Sequence, residues 1–78
     1  PKAEKLLERA EKVALSSDQP EIVHEVRSNL VRLRAAHGKI GRENAIDRLL
    51  KLHEQSPQSA VVVANLAQVA NRKSHVPM

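Results

Sequence analysis

With 78 residues the chain is long enough for one domain and too short for two. It has no cysteine, so neither a disulfide nor a thiolate-bound metal braces it, and no Phe, Tyr or Trp, so its core has to be built from Leu, Val, Ile and Ala. Thirteen Lys and Arg against nine Asp and Glu leave a net charge of +4, too small a surplus to single out nucleic acid or any acidic partner by itself. No apolar run approaches the roughly 18 residues of a membrane span, and no basic-then-apolar signal segment is present. A start at Pro1 is what an excised domain or a processed chain would show. The compartment is not fixed; without Cys or a signal segment, an intracellular setting is the expectation.

In chain order, Ala3, Leu6, Leu7, Ala10, Val13 and Ala14 recur at helical spacing with Lys, Glu and Arg between them, which predicts a helix over residues 2–15. Glu8 and Lys12 stand four apart as a favourable helical pair. Ser16-Ser17-Asp18-Gln19-Pro20 breaks the pattern. Asp18 is placed to cap the next helix, with Pro20 in its first turn and Glu21 three residues after the cap as in a capping box. Ile22, Val26, Leu30, Leu33 and His37 then form one stripe, widened by Val23, and Gly38 follows where a left-handed helix end is expected. Lys39-Ile40-Gly41 connects to a third helix, residues 42–55, whose inner face is Ala45, Ile46, Leu49, Leu50 and Leu52 or His53; Asp47 and Lys51 pair along it. Ser56 is the expected cap of a fourth helix over 57–72, with Pro57 in its first position. Val61-Val62-Val63 resists helix by a few tenths of a kcal/mol per residue, yet no second strand candidate exists to pair with it, and the Ala-rich continuation favours helix. A tail without periodicity follows from residue 73. Short connectors make successive helices antiparallel, so the expected fold is all-α: four antiparallel helices in one domain over residues 1–72, as a bundle or as two stacked hairpins. The two differ in whether the first and last helices meet.

The stretch from Ala45 to Ala70 resembles the tetratricopeptide repeats. Ala45 and Pro57 keep that family's twelve-residue spacing, and Ala60 and Asn65-Leu66-Ala67 follow Pro57 at its intervals. A fainter echo is Asn29-Leu30, with Gly38 nine residues after Asn29 and Ile40 two further on. The phase slips by two residues between Ile40 and Ala45 and by one at Pro20. Val63, Val69 and Ala36 stand where the family usually carries Trp or Tyr. The resemblance covers about a third of the chain well and a further fifth loosely. It implies a binding scaffold without chemistry of its own, holding a peptide or partner helix in a concave groove.

Chemistry finds little purchase in the residues. His24, His37, His53 and His75 have no helical four-residue spacing, so no metal site is expected, and His37 is better placed as a helix-end cation. Gly38-Lys39-Ile40-Gly41 reads as a turn rather than a phosphate loop, and Glu43 with Asp47 reads as a solvated face among Arg42, Arg48 and Lys51. No catalytic residues and no cofactor are therefore expected.

Two binding surfaces remain. In the fourth helix Val62, Leu66 and Val69 form a stripe, Val63 lies beside it and Val61 widens the arc, which fits either a central helix packed on both sides by the other three or a face that docks a partner helix, a peptide or a second copy. Of Val61 and Val63, one is expected to face the core. The alternative is a small basic nucleic-acid-binding domain using Arg32, Arg34, Lys39, Arg42, Asn44 and Arg48, with Arg42-Glu43-Asn44 leading a recognition helix. Against that alternative, no aromatic side chain is present to stack single-stranded bases. The expected function is a non-enzymatic protein-interaction module.

Overall fold

The structure, a computed structural model, describes residues 2–71, and these fold into four helices: α1 (Lys2–Ser16), α2 (Pro20–Ala36), α3 (Arg42–Gln55) and α4 (Ala60–Asn71). The expected tail from residue 73 lies outside the described residues. Among the described residues no strand occurs, and no helix is long and apolar enough to cross a membrane.

Two helix ends are built alike. Gln19 N–H donates to Ala14 O and Asp18 N–H to Leu15 O; Lys39 N–H donates to Arg34 O and Gly38 N–H to Ala35 O. Both are the Schellman arrangement, which needs a left-handed residue after the last turn. Gly38 takes φ 75° and Asp18 takes φ 57°. Asp18 thus closes α1 instead of capping α2. The first helical residue of α2 is Pro20, as its fixed φ and missing N–H favour, but the preceding Gln19 provides no side-chain cap.

The start of α4 also differs from expectation. It begins at Ala60, and Ser59 is its cap: the Val62 N–H donates to Ser59 Oγ at 3.2 Å. Ser56 is drawn elsewhere. It is buried at the end of α3, its N–H bonded to Leu52 O, and its hydroxyl meets Nδ1 of His24 on α2. A tertiary partner 32 residues away has therefore taken the hydroxyl that local sequence assigned to a cap.

The core is made by α2, α3 and α4. Val31, Ala45, Leu49, Leu52, Val62 and Val69 form one buried cluster, with Ala35, Ile40, Ile46 and Leu66 packed against it. Leu49 and Val62 are wholly enclosed (0% exposed), whereas Leu50 next in sequence points outward. α1 packs on α2 alone, while α2, α3 and α4 pack on one another. The product is an all-α bundle in which α1 and α4 do not touch. Its dimensions, 46 × 28 × 17 Å, leave room for two helix layers across the shortest axis.

Apolar packing and charge together hold α1 on α2, with Leu7 and Ala10 half-buried beside Ala14. Ala14 is its buried apolar residue; the other buried side chain is Glu4. Lys39 donates to the Glu4 carboxylate, Arg34 lies 3.6 Å from its other oxygen and 3.0 Å from Glu8, and Arg27 pairs with Glu11. These pairs run in opposite sequence directions, which fixes α1 and α2 antiparallel. The inner face of α1 is the acidic side, so Leu6 and Val13 are turned out to solvent, 63% and 64% exposed. Glu8 thus reaches Arg34 on the next helix in addition to any local pairing with Lys12.

Candidate functional site

Three polar side chains set the rotation of α4 about its axis. Asn65, buried on the inner face, donates through Nδ2 to Ser28 Oγ and to Asn29 Oδ1, both at 2.8 Å. Its Oδ1 accepts from Arg32 Nε at 2.8 Å. At the far end of the helix Arg42, the first residue of α3, donates to the carbonyls of Val69 and Ala70, satisfying acceptors that a helix C-terminus leaves open. A buried amide with both ends satisfied fixes one register, because any rotation of α4 would strand Asn65 without partners; Ser28 would keep its bond to Glu25 O.

With Asn65 turned inward, Val62 and Val69 enter the core and Leu66 sits half-buried against it. Three of the five residues expected at a docking face are therefore core or core-edge residues. The remaining two, Val61 and Val63, both face solvent, 36% and 44% exposed, so the expectation that one of them faces the core is corrected. They flank Val62, which occupies the inward position that each was a candidate for. Ala60, Ala64 and Ala67 are exposed as well, giving Val63 a run of small neighbours along the outer side of α4. α4 has no charged residue anywhere along it. An outward face of alanines and valines, with no Lys or Glu to solvate it, lets another backbone approach closely.

The six residues of the basic region are not gathered into one free patch. Arg32 is bound to Asn65, Arg34 to Glu8 and Glu4, Lys39 to Glu4, and Arg42 to the end of α4. Asn44 accepts from Arg48 Nε at 3.0 Å along the exposed side of α3. The anchoring roles of Arg32 and Arg42 are tertiary, and the helical repeat of apolar residues carried no sign of them.

The Glu4 carboxyl is held below the ordinary carboxylate range. The hydrogen bond from the Lys39 ammonium lowers its pKa, partly opposed by burial, with further help from the nearby positive charges of Lys39 and His37. Among the described residues no set of three or more His, Asp and Glu side chains is placed to hold a metal ion. Asp47 and Lys51 lie 3.7 Å apart as an exposed helical pair.

Set against protein-family models, curated proteins and solved structures, the chain gives no match in any of the three comparisons.

Proposed function

We propose that this domain is a non-enzymatic protein-interaction module, and that its docking surface is the outer side of α4, where a second copy of the chain lays the same helix face. The single observation that carries this proposal is the outward placement of Val61 and Val63 on a helix with no charged residue, beside Ala60, Ala64 and Ala67. Burying side chains of this kind against another helix returns about 1 kcal/mol or more for each valine, and no charge has to be desolvated to do so. Of the polar side chains that the fold buries, Ser28, Ser56 and Asn65 are bonded to partners on other helices and Ser59 caps α4, which supports a structural role for them.

Support for a tetratricopeptide-like organisation comes from the spacing of Ala45, Pro57, Ala60 and Asn65-Leu66-Ala67. In a repeat stack the last helix has an open side, which is where Val63 stands. The nucleic-acid alternative has less support, because Arg32, Arg34, Lys39 and Arg42 already hold internal partners.

Sedimentation equilibrium of the unaltered chain and of Val63→Glu tests the proposal. The unaltered chain should exceed its monomer mass of 8.6 kDa increasingly with concentration, and Val63→Glu should return it to monomer with its helical signal intact. A chain that stays monomeric at millimolar concentration, with Val63→Glu indistinguishable from it, would refute the proposal.

A further inference from the structure

The charges of α1 are sorted by side. Glu4, Glu8 and Glu11 turn toward α2, where Lys39, Arg34 and Arg27 take them up. Lys2, Lys5, Arg9 and Lys12 recur at three- and four-residue intervals along the opposite side, and all four are exposed. None of the four stands at ion-pair distance from a carboxylate among the described residues. Glu8 borders this row, but Arg34 holds it at 3.0 Å. Leu6 and Val13, seven residues apart, run along the other edge of the row and are 63% and 64% exposed. α1 packs on α2 alone, so no other helix covers this side. Two large apolar side chains and four cations without internal partners thus share one convex face, about 15 Å long from Lys2 to Lys12.

We infer that this outer face of α1 lies on an anionic lipid surface, with Leu6 and Val13 entering the boundary between headgroups and acyl chains and the four cations set among acidic headgroups. The helix lies along the surface and does not cross it. The sign of the charge selects an acidic partner, and each cation brought near such a surface is worth about a fivefold gain in partitioning. The apolar pair selects its class. The phosphates of a nucleic acid gain nothing from Leu6 or Val13, and the chain has no aromatic residue to stack a base. A bilayer repays both kinds of side chain at once, because the apolar parts leave water while the ammonium and guanidinium groups stay at headgroup level. The shape agrees with this choice. A single helix standing on one neighbour has no walls to grip a peptide, whereas a deformable surface needs none. α4 does not touch α1, so this face and the α4 self-contact can fail independently.

Co-sedimentation of the full chain with vesicles tests the inference, using phosphatidylcholine alone and phosphatidylcholine mixed with phosphatidylserine at about two to one. Binding is expected to the mixed vesicles at low ionic strength, weakening as salt is raised, and not to phosphatidylcholine alone. Lys5→Gln with Arg9→Gln should weaken it about tenfold or more, and Leu6→Ser with Val13→Ser should weaken it as well. All these positions are exposed, so circular dichroism should show both double variants as helical as the unaltered chain. Val63→Glu should leave the binding where it was. Absence of binding to the mixed vesicles at low ionic strength overturns the inference, as does binding that either double variant leaves unchanged. Equal affinity for a DNA duplex, lost with Lys5→Gln and Arg9→Gln but kept with Leu6→Ser and Val13→Ser, overturns the assignment to a bilayer.

Discussion

Leu49 and Leu50 are adjacent, chemically identical and on opposite sides of the molecular surface, which makes them a matched pair for truncation. Leu49 is 0% exposed within the cluster of Val31, Ala45, Leu52, Val62 and Val69, so Leu49→Ala removes three carbons from a site enclosed by all three core helices. Truncations of this kind cost about 2–5 kcal/mol, the larger values arising where neighbours cannot collapse into the gap. Apart from Leu52 the neighbours are valines and an alanine, short and stiff, so the upper half of that range is expected. A chain of this size has about 4–12 kcal/mol of stability in total, so Leu49→Ala removes a large fraction of it. Leu50 is about half exposed and leaves no cavity, so Leu50→Ala should cost about 1 kcal/mol or less. Urea titration followed by circular dichroism measures both against the unaltered chain. Midpoints that fall equally in the two variants, or further in Leu50→Ala, would show that α3 is rotated relative to the packing described.

Asp18 and Gly38 occupy the same left-handed position in two equivalent helix ends, so Asp18→Gly should raise stability by about 0.5–1 kcal/mol and Gly38→Ala should lower it by about 1 kcal/mol, read as shifts in the urea midpoint. Asn65→Ala leaves Ser28, Asn29 and Arg32 without their common partner and should cost about 1–3 kcal/mol, lowering the thermal midpoint while retaining helical content at low temperature. The pKa of Glu4 is lowered in the folded chain, so its contribution is fully present above the ordinary carboxylate value of about 4.3 and is lost as pH falls through the lower folded value. An acid titration should therefore loosen α1 in that window, and Glu4→Gln should remove that part of the pH dependence while making α1 less firmly held at neutral pH.

Helix positions were legible because punctuation and periodicity agreed. Pro20 fixes the start of α2, Gly38 its end, and the Ala45, Leu49, Leu52 spacing the inner side of α3. The rotation of α1 was not legible, because Leu6 and Val13 extend the apolar arc beside Leu7, Ala10 and Ala14, which form the packed side. The choice between them was made by Arg27, Arg34 and Lys39, which draw Glu11, Glu8 and Glu4 inward. Sequence periodicity counts apolar residues on one helix and has no access to charges on the next. The same limit explains α4. Its nearly continuous apolar character hid which side was inner, and the deciding residue was the polar Asn65, whose partners lie 33 to 37 residues away. Ser56, the expected cap, is taken by the long-range contact with His24, and Ser59 caps α4 in its place.

The central claim is that the outer side of α4 meets the same helix in a second copy. The most direct measurement mixes isotopically labelled and unlabelled chains at millimolar concentration and records only intermolecular nuclear Overhauser effects. The account predicts cross-peaks joining the methyl groups of Val63, Ala60, Ala64 and Ala67 in one copy to the same set in the other, and none from the enclosed methyls of Val62. Intermolecular cross-peaks confined to Leu6 and Val13 of α1, or none at all, would contradict it.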